Sequence, residues 1–388
     1  MHTAHYPDWQ TKNLGEVCDI EKVQHKTGNN LPYVGMEDIE SNTGRLIGST
    51  KIKSVLSSTF YFTSSHVLYG RLCGYLNKVA LPNFKGHCST EIFPIKPLPR
   101  TDKKFLFYWL SFDETVKKIN KTCTGTRMPR ANMKEVLNFE FPLPPLPEQK
   151  RIVKILDETF ENVARAKANA EKNLRNSKEL FESYLQSVFT SSGDGWEEKK
   201  VDAICSVEYG YTEKAKNKGD YRFIRITDTN ENGLLMQENK MYIDSFREVD
   251  KYILSDGDLL MARTGASAGN VLLFESNEES VFASYLIRMK FEKEVSSKLY
   301  WYFSKSKLYW DQVRQLSAGS AQPQFNGGAL KQIVFLFPKS LKTQKQIVTR
   351  LNALSAQTKK LENIYQHKID NLDELKKSIL AQAFAGKL

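Results

Sequence analysis

The sequence predicts a mixed α/β (α+β) fold, in which each of two globular domains is followed by one long helix. Three observations support this prediction. The phrase PEQKRIVKIL at 147–156 returns 195 residues later as KTQKQIVTRL at 342–351, an apolar heptad pattern follows each copy, and fragments of the preceding sequence are repeated as well. We therefore expect an internal pseudo-two-fold repeat, with the two long helices packed as an antiparallel coiled coil.

The first globular domain is predicted over residues 1–147. Short apolar strands separated by Gly and Asn turns, and a helical pattern near 101–121, indicate a mixed module. The prolines of FPLPPLP at its end stop the last strand and favour the start of a helix. This domain holds 19 Lys and Arg against 13 Asp and Glu, so it is cationic.

The first long helix is predicted over residues 148–190. Its apolar residues recur three and four positions apart for about six heptads, with Lys167 and Ser177 as interruptions and no internal Pro or Gly. The predicted seam consists of Leu156, Phe160, Val163, Ala170, Leu174, Phe181, Tyr184 and Val188. Such a helix is roughly 65 Å long and cannot bury its apolar stripe alone, which is why we pair it with its repeat.

The second domain, residues 191–342, and the second helix, residues 343–388, repeat this layout. GWEEKKVDAIC at 195–205 aligns with DWQTKNLGEVC at 8–18, and the domain holds 21 Lys and Arg against 21 Asp and Glu. The second helix is interrupted by Thr358 and Lys368. Its predicted seam consists of Ile347, Leu351, Leu354, Leu361, Tyr365, Leu372, Leu375 and Ile379.

Composition restricts the class of protein. The 388 residues include 56 Lys and Arg against 45 Asp and Glu, and this net charge of +11 suits a polyanionic partner such as nucleic acid. Five cysteines without a C-x-x-C pair indicate reduced thiols in a cytoplasmic protein. No signal peptide pattern and no run of 18 apolar residues occur, so we expect a soluble, cytoplasmic protein without a membrane partner.

Motifs of the common catalytic classes are missing from the sequence. It contains no Asn/Asp-Pro-Pro-aromatic tetrapeptide for amino-group methylation, no phosphate loop, no H-E-x-x-H pair and no G-x-S-x-G elbow. RTGASAGN at 263–270 lacks the Lys-Ser/Thr that would reach phosphates. We therefore predict that the chain binds and does not catalyse.

Two polar loops in each domain hold the candidate DNA-binding residues. In the first domain they are Arg71, Tyr75, Asn77 and Lys78 in one loop, and Arg127, Arg130 and Asn132 in the other. In the second domain they are Arg263, Thr264 and Ser267 in one loop, and Ser320, Gln322, Gln324 and Asn326 in the other. Arg, Asn and Gln can read base edges, and Ser, Thr and Lys commonly contact phosphates. Any single one of these residues is equally compatible with a solvated turn, and Tyr211 with Lys214 is a weaker candidate.

Four segments of the chain resemble the specificity (S) subunit of a Type I restriction–modification system. They are PLPPLPEQKRIVKILDE (142–158), FPKSLKTQKQIVTRL (337–351), SILAQAFAGKL (378–388) and VLYGRLCGYLNKVALP (67–82). The resemblance implies two target-recognition domains that each read one half of a split sequence in double-stranded DNA. It also implies that the helices act as a ruler and as the docking platform for two modification subunits.

The same resemblance implies what the partners supply. The modification (methyltransferase) subunits would bind S-adenosylmethionine and methylate adenine at N6, and restriction (translocase and nuclease) subunits would use ATP with Mg²⁺. No cofactor or metal is then expected in this chain. The expected partner contacts on the helices are Glu148, Gln149, Phe189, Gln344 and Phe384. Thr343 stands where Glu148 stands in the first helix, so contacts of that carboxylate would be unequal.

Two other functions stay open at this point. The chain could be a DNA methyltransferase or nuclease with an unrecognised active site. It could also be a coiled-coil scaffold whose helices bind protein and whose domains bind no DNA.

Overall fold

The computed structural model describes residues 9–25, 31–48, 57–190, 193–230, 232–317 and 324–388. It forms two compact units, which we call the first unit (Met1–Glu171 with His367–Leu388) and the second unit (Lys172–Gln366). Each unit contains short strands, short helices and parts of two long helices, so the predicted mixed fold is confirmed.

The described residues of the first unit form ten strands and three short helices, together with parts of the two long helices. The strands are β1 Gln10–Asn13, β2 Cys18–Ile20, β3 Gln24–His25, β4 Tyr33–Val34, β5 Thr59–Phe62, β6 Val67–Gly70, β7 Val79–Ala80, β8 Gly86–Ser89, β9 Ile92–Pro97 and β10 Glu140–Leu143. The helices that begin in this unit are α1 Lys103–Ser111, α2 Asp113–Lys121, α3 Met133–Val136 and the long α4 Leu146–Thr190.

The second unit contains nine strands among its described residues. They are β11 Trp196–Lys200, β12 Cys205–Tyr209, β13 Tyr221–Ile224, β14 Tyr242–Ile243, β15 Leu259–Ala262, β16 Val271–Leu273, β17 Ser280–Phe282, β18 Leu286–Phe291 and β19 Val334–Pro338. The helices that begin in this unit are α5 Ser297–Phe303, α6 Lys307–Leu316, α7 Gly327–Gln332 and the long α8 Leu341–Phe384.

The main sheet has the same topology in both units, which confirms the internal repeat, whereas the second sheet has four strands in the first unit and three in the second among the described residues. The main sheet has the order β2-β9-β6-β7 in the first unit and β12-β18-β15-β16 in the second, with every neighbour antiparallel. A second sheet in each unit contains one parallel pair, β4 with β8 and β13 with β17. A two-stranded ribbon, β1-β10 or β11-β19, leads into the long helix.

In the first unit the two long helices run antiparallel. Arg151 near the start of α4 donates from Nη2 to the carbonyl of Leu388 over 2.6 Å. Sixteen positions further along α4, Lys167 forms an ion pair of 2.6 Å with Asp373 of α8. The partner residue number falls as the α4 number rises, so Lys167, which interrupts the apolar pattern, contributes a cross-helix ion pair.

The polar interruptions Ser177 and Thr358 are buried in the second unit. Each hydroxyl donates to a carbonyl of its own helix, Ser177 to Asn173 at 2.8 Å and Thr358 to Leu354 at 3.0 Å. Because these bonds satisfy the hydroxyl groups locally, the seam tolerates two polar side chains without an unpaired donor.

The prediction that Leu361 and Leu375 belong to the apolar seam of α8 is wrong. Leu361 is 38% exposed and Leu375 is 46% exposed, whereas Val348 and Ile369 are buried. The buried positions Leu351 and Thr358 lie one heptad apart, which selects a face that excludes Leu361 and Leu375. The sequence pattern offered apolar residues on two adjacent faces, and packing selected one.

A buried glutamine fastens each long helix to its own unit. Gln149 Oε1 accepts from the backbone N–H of Asp102 at 2.8 Å, and its Nε2 donates to the carbonyls of Arg100 and Pro144. Both Gln149 and Gln344 are 0% exposed. In the second unit Gln344 makes the same three bonds, accepting from Ser296 at 2.7 Å and donating to the carbonyls of Glu294 and Pro338.

A tyrosine forms a second repeated contact between a short helix and a long one. Tyr108 of α1 donates to Asp157 of α4 over 2.6 Å, and Tyr302 of α5 donates to Asn352 of α8 over 2.7 Å. Asp157 and Asn352 are 195 residues apart, so they occupy equivalent positions of the repeat.

The five cysteines are unpaired, and burial raises the pKa of the thiols of Cys18 and Cys205 to about 12. These two thiols therefore stay protonated near neutral pH and are poor nucleophiles. Among the described residues, no helix is long and apolar enough to span a membrane.

We predict that Gln344→Ala lowers the free energy of unfolding by about 2–4 kcal/mol, because it leaves the N–H of Ser296 and two carbonyls without their partner in a buried place. Urea unfolding followed by tryptophan fluorescence would measure the loss. Gln346→Ala is the matched control, since Gln346 lies on the same helix and is exposed. Equal losses in the two variants would contradict the role of the buried amide.

Candidate nucleic-acid interface

In the first unit the two loops predicted from the sequence lie side by side. The N–H of Cys73 donates to the carbonyl of Pro129 over 2.7 Å, and the N–H of Ala131 donates to that of Arg71 over 2.9 Å. Leu72 and Arg130 form an isolated β-bridge. The turn after β6 and the segment before α3 therefore present a single polar surface.

The second unit joins its two loops in the same way. The N–H of Phe325 donates to the carbonyl of Arg263 over 2.9 Å, and Thr264 forms a β-bridge with Gln324. Thr264 and Ser267 are half-buried in the turn that follows β15, whereas Gln324 is exposed. We call these two paired-loop surfaces, which contain Arg71 and Arg263 respectively, the first and second loop surface.

The first loop surface is positively charged, and one carboxylate neutralises part of that charge. Arg71 and Arg130 both form ion pairs with the carboxylate of Glu91, at 3.1 Å and 2.8 Å. Arg127 is exposed in the same loop. Two fixed guanidinium groups on one carboxylate leave a net positive charge at a place where a polyanion could approach.

The second loop surface holds its arginine between aromatic rings. The guanidinium carbon of Arg263 lies 5.4 Å from the ring centre of Tyr209 and 5.6 Å from that of Tyr285. The hydroxyl of Tyr209 in turn accepts from the N–H of Gly327 over 3.0 Å. Cation–π contacts of this kind orient the guanidinium while leaving its charge in place.

Four of the ten exposed large apolar side chains among the described residues lie on these surfaces. Tyr75 (59% exposed) and Met128 (58%) belong to the first, and Tyr209 (46%) and Tyr285 (56%) belong to the second. These three tyrosines are the exposed aromatic residues among the described part of the chain. Exposed rings beside arginines suit contact with bases and the sugar–phosphate backbone.

Several predicted DNA-binding residues make internal contacts instead. Asn77 is buried with φ of 43° and donates to the carbonyl of Ser111 over 3.2 Å. Lys78 Nζ donates to the carbonyl of Met36 over 2.6 Å. Both side chains make contacts that stabilise the turn that carries Tyr75.

The two asparagines before the short helices α3 and α7 lie at helix starts. The side chain of Asn326 accepts from the N–H of Ala329 over 3.0 Å and so caps α7. Asn132 is exposed at the equivalent position of α3 and makes no such capping bond. Of the other candidates, Tyr211 stacks its ring on that of Phe246, with 3.8 Å between the ring centres. Ser320 and Gln322 lie outside the described residues.

The predicted partner-contact residues are mostly inside the units. Gln149, Gln344, Phe189 and Phe384 are all less than 5% exposed. Phe384 lies 5.3 Å from Phe105 between ring centres, and Phe189 lies 5.3 Å from Phe303. The repeated phrase therefore reflects the attachment of each helix to its unit. Only Glu148 has appreciable exposure, and it pairs with Arg151.

Four further residues lie on the loop surfaces but are not among the residues predicted from the sequence: Glu91, Met128, Tyr209 and Tyr285. The repeat carried a signal for two of them, because STEIFPIK at 89–96 aligns with ASYLIRMK at 283–290. That alignment places Glu91 opposite Tyr285 directly before β9 and β18. An alignment of the repeat that includes these strands shows that this position is a glutamate in the first domain and a tyrosine in the second.

No group of three or more His, Cys, Asp or Glu side chains that could hold a metal ion occurs among the described residues.

The Glu91 ion pairs generate a pH prediction. Partial burial alone would raise the pKa of the Glu91 carboxyl, but the hydrogen bonds and charges of Arg130 and Arg71 outweigh burial and hold this pKa below its ordinary value. A lowered pKa in the folded chain means that the stabilisation is complete above the unfolded pKa of about 4.3 and is lost as pH falls through the folded value.

We therefore expect the unfolding free energy of the wild type to exceed that of Glu91→Gln by a constant amount above about pH 5, and the difference to shrink below about pH 4. Urea unfolding at a series of pH values would measure it. Glu140→Gln, at an exposed residue of the same unit, is the control. The same pH dependence in both variants would contradict the assignment to the arginine pairs.

Comparison with known proteins places this geometry in a family. The family model described as Type I restriction modification DNA specificity domain matches residues 6–173 and again residues 193–371. The matches fall one on each copy of the repeat.

Individual relatives of the chain are also specificity subunits of Type I restriction enzymes. The chain is 25% identical to the MjaVIII specificity subunit of Methanocaldococcus jannaschii over 100% of this chain and 95% of the relative. It is 27% identical to the EcoDI specificity subunit of Escherichia coli over 47% of this chain, an alignment that spans only 41% of that relative.

Solved structures share the fold. A chain from a structure of type I R-M system complex assembly matches with a TM-score of 0.81 at 20% identity, covering 98% of this chain and 99% of that one. The HsdS subunit from Thermoanaerobacter tengcongensis matches with a TM-score of 0.66 at 20% identity, covering 98% of each. Because the family model covers most of the sequence in two copies, this chain belongs to the family of Type I restriction–modification specificity subunits.

Proposed function

We propose that this chain reads a bipartite sequence in double-stranded DNA and directs partner subunits to it. In this proposal each loop surface contacts one half of the target. Two modification subunits methylate adenine at N6, restriction subunits join them for cleavage, and the chain itself carries out neither reaction. The complex is expected in the cytoplasm.

The observation that carries the proposal is the pair of loop surfaces. Both are assembled by the same backbone bonds, with Ala131 and Phe325 donating to the carbonyls of Arg71 and Arg263. The side chains that they expose differ in charge and in aromatic content. One frame that presents two different sets of contacts suits the recognition of two different half-sites.

The charge distribution suits partners that share the DNA contact. Residues 1–147 carry an excess of Lys and Arg, whereas residues 191–342 hold equal numbers of basic and acidic residues. A nearly neutral domain supplies little counterion release of its own. We infer that the modification subunits neutralise a share of the phosphates beside the second half-site.

Partner docking would use outward-facing residues of the long helices. Leu180, Leu361 and Ile364 are 52%, 38% and 49% exposed in the second unit, and Leu375 is 46% exposed in the first. Exposed apolar side chains on a helix suit contact with another protein.

The cofactors of the complex belong, in this proposal, to the partner subunits. S-adenosylmethionine would bind to the modification subunits, and ATP with Mg²⁺ would bind to the restriction subunits. Incubating the purified chain alone with S-adenosylmethionine and DNA tests this division. Methyl transfer by the chain alone would favour the alternative of an unrecognised methyltransferase.

We predict that exchanging residues 1–147 for those of another specificity subunit changes only one half of the methylated sequence. Single-molecule sequencing of DNA modified by the assembled complex would map the methylated adenines. Exchange of residues 191–342 is the matched experiment and should change only the other half. An unchanged sequence in both exchanges would favour a scaffold whose domains bind no DNA.

We also predict that Arg127→Ala weakens binding of the complex to its target by roughly 1–3 kcal/mol, with relaxed specificity at one position of one half-site, if this side chain contacts a base. Contact with a phosphate would instead weaken binding to every sequence and lower the salt slope by about one. Fluorescence anisotropy at several salt concentrations separates the two.

Arg45→Ala is the matched control, because Arg45 is a 75% exposed arginine of the same unit outside the loop surface. Equal effects of the two variants would remove Arg127 from the interface.

A further inference from the structure

The residue that precedes β9 and β18 occupies the same place in both loop surfaces. The carbonyl of Glu91 accepts from the N–H of Arg71 over 2.9 Å, and the carbonyl of Tyr285 accepts from the N–H of Arg263 over 3.0 Å. These backbone bonds set each side chain beside the arginine that follows β6 or β15. Positions 91 and 285 therefore occupy equivalent places in the backbone, but position 91 carries a carboxylate and position 285 an aromatic ring.

In the first unit the Glu91 carboxylate holds two arginines at once. It accepts from Nε of Arg71 at 3.1 Å, and from Nε and Nη2 of Arg130 at 3.0 Å and 2.8 Å. The guanidinium of Arg71 also lies over the ring of Phe93, 4.9 Å from its centre. A free arginine side chain samples many rotamers, and these contacts remove much of that freedom before any ligand binds.

Arg71 keeps donors for a ligand after these contacts are made. Its Nε is used by Glu91, and its two Nη groups make no hydrogen bond with any other described residue. The Nη groups of an oriented arginine form two parallel bonds with the O6 and N7 of guanine in the major groove. The ion pair thus fixes the side chain and leaves its reading edge available.

The second unit lacks such a carboxylate. No acidic side chain of the described residues lies within ion-pair distance of Arg263, and its Nε is buried without a hydrogen-bond partner there. Tyr209 and Tyr285 orient its guanidinium by their ring faces instead. Because Tyr285 is 56% exposed, its ring and hydroxyl are also available to a ligand.

We propose that Glu91 is a positioning residue that orients Arg71 and Arg130 to read the first half-site, and that Tyr285 with Tyr209 performs this task for Arg263 at the second. This inference rests on the proposed function and names the residues that make the two halves different. The equivalent position thereby sets the recognition chemistry of each half, an ion-paired arginine reader in one and an aromatic-flanked arginine in the other.

An alternative role for Glu91 is to reduce positive charge only. Removing a carboxylate from a DNA-facing surface would then strengthen binding to every sequence, because repulsion of the phosphates is lost. The positioning role has the opposite consequence for the cognate sequence, since freed arginines must be ordered on binding. The two roles therefore differ in the direction of the measured effect.

The test uses the chain assembled with its modification subunits and three DNA duplexes. One duplex carries the full target found by methylation mapping, and the others carry substitutions in the first or in the second half. For Glu91→Ala we expect the preference for the full target over the first-half substitution to fall by about tenfold to a hundredfold. The preference over the second-half substitution should be unchanged.

Tyr285→Ala is the matched variant and should show the reverse pattern. Glu91→Asp, which keeps the charge, should restore part of the lost preference, and Glu91→Gln should not restore it. Thermal unfolding of each variant checks the fold, because a folding defect would reduce the preference for both halves together.

Three results would overturn the inference. They are stronger binding of Glu91→Ala to all three duplexes, an equal loss on both halves, or full preference retained in Glu91→Ala. If the wild-type complex itself shows no preference among the duplexes, the proposed function fails as well, which separates this outcome from the other three.

Discussion

The buried amide of a glutamine at the start of each long helix is the contact on which the rest of each unit depends. Gln149 accepts from the N–H of Asp102, whose carboxylate in turn accepts from Lys104 and Phe105 to begin α1. That short helix packs on β6, β7 and β9, the strands from which the first loop surface emerges. Gln344 and Ser296 connect α8 to α5 in the same way. Because an unsatisfied amide inside a unit is costly, this geometry is held firmly.

The repeat keeps the internal contacts and varies what faces outward. Tyr108 donates to an aspartate of α4, and Tyr302 donates to an asparagine at the equivalent place in α8, so the contact tolerates a change of charge. The strand order of the main sheet, the glutamine bonds and the bridges between the loops recur in both units. A frame of this kind lets the exposed side chains of the two domains diverge without a change in how either domain folds.

Electrostatics differ between the two loop surfaces more than the net charges alone indicate. The first domain is the more basic in sequence, yet two of its arginines are partly neutralised by Glu91. The second domain has balanced charge in sequence, yet Arg263 keeps its charge between two aromatic rings. An ion pair fixes the direction of an arginine side chain. Flanking aromatic rings also restrict the motion of an arginine, but they leave its positive charge in place. The arginines of the two loop surfaces are thus oriented by different physical interactions.

The sequence by itself determined the repeat and the long helices, because an ungapped register and heptad spacing are local properties of the chain. It also indicated where polar loops occur, since Gly, Pro and Asn mark turns wherever they fold, and residues 318–323 of one such loop lie outside the described residues. Only the tertiary structure decided which side chains of those loops remain outside. Asn77, predicted as a DNA contact, and Gln149, predicted as a partner contact, are buried and donate to carbonyls of their own unit. Glu91 and Tyr285 look like ordinary residues at strand ends, and the backbone bonds of a β-sheet bring them beside arginines about 20 residues away. Burial and partner choice depend on contacts between distant segments, which no local pattern encodes.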